Sequence, residues 1–212
     1  CMRVGYCESE YEAATLNLLE AEGWLCSRGD ELHRKYSDTI LEEDLNAFLC
    51  RRYPDFTGEE RSRVVFNLRN TGGNTDYLAL RSVGQLCLNG FVFDRDDASL
   101  PSRQVDYIDF ERPDQNIFRA VSQLTVRELG AERRPDVLLY ENPAQRQASI
   151  SSAWEQIHIR YKRDIPSLMK FCLLSVISDG GNTRLGTTCA PFEHYYAWKK
   201  VENDENAASG LG

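Results

Sequence analysis

The sequence predicts a mixed α/β domain, a β-sheet flanked by helices, and three observations carry that prediction. The first third repeats apolar residues at helical spacing. The middle alternates short apolar and aromatic runs with breaks rich in Asp, Pro and Gly. Helical spacing then returns once before a last apolar run. At 212 residues, 42% of them apolar, the chain is long enough to bury a core.

In order along the chain, Tyr11, Ala14, Leu18 and Leu19 share one face of a helix over 9–22 that Gly23 ends, with Glu8 and Glu12 on its other face. A second helix is predicted from Leu41 to Arg52, with Thr39 and Glu42 as a capping box and Pro54 beyond its end. Thr57 and Glu60 repeat that signature ahead of Val64, Val65 and Leu68, and Gly72, Gly73 and Asn74 read as a turn. Strands are predicted near Cys87–Phe93, Gln104–Phe110, Asn116–Arg127 and Pro135–Tyr140, in a mixed or antiparallel sheet. Ala153, Trp154, Ile157 and Tyr161 predict a helix that ends before Pro166, and Phe171–Ile177 a buried strand. The polar stretch after Glu202 reads as a frayed tail, which sets a domain over 1–200 and a tail over 201–212.

The net charge of −8 argues against a protein that coats nucleic acid indiscriminately. It leaves room for an acidic metal pocket beside local basic clusters such as Arg133 with Arg134, Arg160, and Lys162 with Arg163. No apolar run approaches the roughly 18 residues needed to span a bilayer, and the first ten residues hold no apolar signal core. The expected compartment is therefore the cytoplasm, with no membrane partner. Seven scattered cysteines and three distant histidines indicate neither a disulfide framework nor a zinc site, and there is no Gly-rich nucleotide loop.

Eight short segments stand in a distinctive order. They are Asp106–Phe118, Gln123–Val126, Arg133–Tyr140 with its Arg-Arg-Pro-Asp opening, Ala153–Ile157, Tyr161–Leu168, Val176–Gly180, Arg184–Thr187, and Trp198 with Lys199. That order resembles the N-terminal endonuclease domain of the R subunit of type I restriction-modification enzymes, within the PD-(D/E)xK nuclease superfamily. The resemblance covers most of residues 8–200. It implies a restriction-endonuclease-like mixed sheet flanked by helices, with the metal site where two adjacent strands and the first helix meet. It also implies a Mg²⁺- or Mn²⁺-dependent endonuclease acting on double-stranded DNA, alongside methyltransferase and specificity subunits. ATP would serve only motor domains that this chain does not contain.

Metal-dependent phosphodiester hydrolysis needs carboxylates to hold the ion and a cation near the attacking water. Asp136, at the start of an apolar strand, matches the family's metal-binding Asp. Glu12, with Glu8 one turn earlier and Glu10 on a different face, matches its helical Glu. Gln156 and Tyr161 look like the family's later Gln and Tyr, although they stand five residues apart instead of four. Five steps turn side chains about 140° apart on a regular α-helix, so the helix must bulge or only one of the pair faces the site. Tyr161 also falls in register with core positions Ala153 and Ile157. Arg134, Arg160 and Lys162 are the candidate DNA contacts.

One feature of the family is missing. The Asp strand should lead into a second strand bearing Glu-x-Lys, but Tyr140 runs into Glu141, Asn142 and Pro143, with no lysine before Lys162. The expectation is that this short stretch leaves no room for a hairpin and that the second active strand is absent. Either the protein is a degenerate nuclease that only binds DNA or docks partner subunits, or residues carrying Glu-x-Lys are missing between Asp136 and Ala153.

Overall fold

Apolar side chains three and four residues apart wind most of the first half of the chain into helices. The computed structural model describes residues 8–141, 144–148, 154, 156–178 and 183–197, so the predicted tail lies outside the described residues. Helix α1 (Glu8–Ala21) stops at Gly23, whose φ of 89° suits glycine. Strand β1 (Leu25–Arg28) follows; its four residues are too few to show a period in the sequence.

Helix α2 (Glu42–Arg52) starts after Leu41 with no side-chain cap, which corrects the expected Thr39 box; Glu42 instead pairs with Arg69 of the next helix. Helix α3 (Gly58–Asn70) has the predicted box. Thr57 Oγ1 accepts from the Glu60 amide at 3.1 Å, and the Thr57 amide donates to Glu60 Oε2 at 2.8 Å. Helix α4 (Asp76–Asn89) follows the predicted turn, in a stretch given no element by the sequence, and takes in the first residues of the predicted Cys87–Phe93 strand. Thr75 caps it, and Ala79, Val83 and Cys87, four apart, form its buried face. Gly90 ends it with φ 60°, so the predicted Cys87–Phe93 strand shortens to β2 (Phe91–Phe93), paired with β3 (Arg103–Val105).

The remaining strands are β4 (Phe118–Ser122), β5 (Val126–Glu128), β6 (Ala131–Arg133), β7 (Val137–Glu141), β8 (Ala144–Ala148), β9 (Cys172–Ser178), β10 (Thr183–Thr187) and β11 (Tyr196–Ala197). The main sheet runs in the order β1-β4-β7-β8-β9-β10-β11 and is mixed. β1 lies parallel to β4 and β8 parallel to β9, while the other pairs are antiparallel. The long strand expected over Asn116–Arg127 divides in two because Gln123 adopts φ 53° and breaks the extended run.

The hairpin that the sequence reading excluded is present. β7 pairs antiparallel with β8, with Glu141 opposite Ala144. β8 reads Ala-Gln-Arg-Gln-Ala, so the position of the second strand is filled without a carboxylate or a lysine.

Beyond it, α5 is π-helical over Gln156–Tyr161 and continues as Lys162–Asp164. As the sequence predicts, this helix ends before Pro166, with Ile165 leaving the helical conformation. The chain restarts there as α6 (Pro166–Met169), with proline in the first turn, where its missing N–H costs nothing. Two clusters fill the interior. Leu45, Leu49, Val64, Leu68, Val83 and Tyr107 join α2, α3 and α4. Val121, Leu138, Tyr140, Tyr161, Ile165 and Cys172 lie against the central strands. Among the described residues no helix is long and apolar enough to cross a membrane.

Candidate active site

At one end of the central strands, four segments meet around Gln123. β4 ends at Ser122, and the Gln123 amide donates to the Asp136 carbonyl at 2.9 Å, adding one rung beyond the Ser122–Val137 pair. The left-handed backbone of Gln123 ends the strand, and its Nε2 donates to Glu12 Oε2 on α1 at 2.8 Å. One residue therefore ties the predicted helical acid to the backbone of the predicted strand acid. β1 closes the group from the other side, where the Gly29 amide donates to Ser122 O at 2.7 Å. A Cβ on Gly29 would lie 2.6 Å from Leu124 Cα and 2.7 Å from Gln123 O, so only glycine lets the end of β1 approach this closely.

Asp136 is half-buried between buried Pro135 and Val137, and Glu12 is also half-buried. Nearby, α5 brings a second set of charges to β6. Asp164, largely buried, pairs with Arg163 at 2.7 Å and with Arg133 of β6. The hydrogen bond from Arg163 is the main reason its carboxyl is held below the usual range, with Arg133 adding to the effect. Arg134 and Arg160 are exposed and Lys162 is half-buried.

The π-turn resolves the five-residue spacing of Gln156 and Tyr161. Its hydrogen bonds run from i to i+5, so residues five apart stand one turn apart, which is the bulge that the spacing demands. The Gln156 side chain lies outside the described residues. Tyr161 is 2% exposed and packs with Leu138 and Ile165, so the structure places its ring in the core.

In the sequence, Gln123 stands out only as the first residue of the Gln123–Val126 segment. Its signal was positional: one polar side chain between the apolar run of β4 and Leu124. Gly29 gave no signal beyond an ordinary Gly-Asp turn.

Among the described residues no group of three or more His, Cys, Asp or Glu could hold a metal ion. Mg²⁺ commonly binds proteins through one or two carboxylates and keeps water and phosphate oxygens in its shell, so a pair such as Glu12 and Asp136 would match one hard cation. They do not suffice for a two-ion site, and β8 adds no donor acid.

The class these features define is a mixed α/β domain with a small acidic site where its first helix meets the ends of its central strands. The chain belongs to the family described as type I restriction enzyme R protein N terminus, whose model matches residues 6–194. It is 24% identical over 216 residues to a putative type I restriction enzyme MjaIXP endonuclease subunit of Methanocaldococcus jannaschii, a match that takes in 92% of this chain and 20% of that protein. It is also 24% identical over 222 residues to the type I restriction enzyme HindI endonuclease subunit of Haemophilus influenzae, covering 95% of this chain and 21% of that one. The chain thus spans about a fifth of the length of these relatives. Both matched stretches exceed the 212 residues of the chain, so each relative carries residues within the match that this chain lacks.

Proposed function

We propose that this chain is the DNA-cleaving domain of a type I restriction endonuclease subunit, hydrolysing phosphodiester bonds of unmodified double-stranded DNA in the cytoplasm. The observation that carries the reading is the double attachment of Gln123, which holds Glu12 by its side chain and Asp136 by its backbone. In this reading Asp136 and Glu12 hold one Mg²⁺ or Mn²⁺ ion. When bound, the ion polarises a phosphoryl oxygen and lowers the pKa of a water. Gln123 fixes the Glu12 carboxylate, and Pro135 with the β7 ladder fixes the start of the strand that bears Asp136. Arg134 next to that strand, with Arg160 and Lys162 on α5, would neutralise phosphates of the bound duplex. DNA would reach the site through an ATP-driven motor in a further part of the subunit, assembled with methyltransferase and specificity subunits.

The composition of β8 favours a second reading, a nuclease-fold module that binds DNA or docks partner subunits without cutting. The test is Mg²⁺-dependent nicking of supercoiled DNA by the complete enzyme carrying Asp136→Ala, with duplex binding measured alongside. The cleaving reading expects nicking to fall to background while binding persists. Nicking at an undiminished rate would replace it with the second reading.

A further inference from the structure

A second charged cluster lies at the opposite end of the β4–β7 pair. Asn116, just ahead of β4, donates to Asp109 O at 3.0 Å and accepts from the Asp109 amide at 2.9 Å, and it lies 3.5 Å from Glu141 Oε1 at the end of β7. This pins the loop that carries Asp109 and Arg112 against the end of α2. The Asp109 carboxylate, 1% exposed, accepts from the Arg112 amide at 3.0 Å and from its guanidinium at 3.0 and 3.2 Å, and it faces Arg52 at 3.1 Å. Burial pushes this carboxyl up, but the Arg112 hydrogen bonds and the Arg52 charge outweigh burial and hold it below the usual range.

Two guanidinium groups therefore share one buried acid, and Arg52 finds only a longer contact, 3.6 Å, to Asp106. Arg51 adds a third cation, bonded to the neutral Gln115 carbonyl at 3.1 Å. These three arginines, with Phe48, Pro54 and Gln115, line a cavity of about 270 Å³ whose walls hold no acid. Asp114 beside it is tied to the Gln115 amide at 2.7 Å. The buried Nε of Arg52 has no hydrogen-bond partner among the described residues. The dipole of α2 accounts for cations at its C-terminal end. It does not account for a third guanidinium brought in from another segment.

The geometry points to a phosphate-binding site in this cleft, with the exposed guanidinium groups of Arg51 and Arg112 donating to the oxygens of one phosphate group and the charge of Arg52 adding to the attraction. Guanidinium forks match that geometry. The group is either a phosphodiester of the DNA backbone, a source that rests on the reading above, or a free phosphate-bearing small molecule.

The test titrates the chain with a short duplex at several salt concentrations and, separately, with inorganic phosphate. It compares Arg51→Gln and Arg51→Gln/Arg112→Gln, both of which leave the Arg52–Asp109 pair in place. The double variant should lose about tenfold in duplex affinity, with the salt slope shallower by about one per arginine removed. Asp136→Ala should bind the duplex as the wild type does, which keeps failure of the cleft distinct from failure of the active-site reading. Weakened binding of inorganic phosphate with unchanged duplex affinity would support the site and identify a small molecule as its source. Should the double variant melt early, Arg51→Gln alone carries the test, since its side chain is exposed. The proposal is overturned if the folded variants bind both ligands as tightly as the wild type, or if the wild type binds neither.

Discussion

The two ends of the β4–β7 pair place acids in opposite settings. Five paired residues separate them, roughly 15 Å of extended chain. At the Gln123 end, the Glu12 carboxylate accepts from the neutral side-chain amide of Gln123, and Asp136 is joined to the Gln123 backbone amide through its own carbonyl. At the Asn116 end, Asp109 is buried and saturated by two arginines. Asp109 is given permanent cations that stabilise the fold, whereas Glu12 accepts from a neutral donor that leaves its charge uncompensated. On the proposed function, one end carries stability and the other chemistry, and substitutions can separate the two.

The largest stability effect should come from Asp109→Ala. It strands Arg52 and Arg112 around a buried hole, a loss of roughly 3–5 kcal/mol that lowers the melting temperature by on the order of 10 °C for a chain of this size. A melt by circular dichroism within a couple of degrees of the wild type would show that the arginine end does not hold the fold. Next comes Gly29→Ala. Its Cβ would meet backbone atoms of 123 and 124 that cannot swing away, with an overpacking cost of about 1–3 kcal/mol. Urea unfolding would read this, and DNA nicking by the complete enzyme should fall along with stability, because Gly29 supports the residue that bridges the acids.

Acid should act mainly through the saturated carboxylates. Glu60 is held below the usual range chiefly by its hydrogen bond from Arg95, and Asp109 is held low by Arg112 and Arg52 against its burial. A folded-state pKa below the unfolded one stabilises at pH above the unfolded value and loses that contribution as pH falls through the folded one. Melting temperature should therefore vary little through neutral pH on account of these groups and drop below about pH 4; an Asp109→Asn chain should show a shallower drop. The smallest stability effect belongs to Gln123→Ala, which removes one half-buried hydrogen bond worth about 1 kcal/mol. Cleavage should fall far more than stability does, and equal losses would mean that Gln123 serves packing alone.

The residues show why parts of this were legible in the sequence. The α3 cap was readable because Thr57 and Glu60 satisfy each other locally. Helix α4 was not, since its buried stripe includes Gly84 and is interrupted by polar positions, and its last turn runs into the aromatic residues of β2. β1 is only four residues long and is defined by its parallel partner β4, a contact distant in sequence. The β7–β8 hairpin was not legible because the stretch after Tyr140 looks too short for one, whereas Glu141 pairs with Ala144. The two acids were singled out by resemblance. Their bridge, Gln123, was hidden because its role depends on a left-handed backbone that no local pattern announced.

The most direct measurement of the central claim is the broadening of backbone amide signals by substoichiometric Mn²⁺ in this chain. The account predicts broadening centred on Glu12, Gln123 and Asp136, abolished by Asp136→Ala. Broadening that is centred on other acids, or that survives Asp136→Ala unchanged, would contradict it.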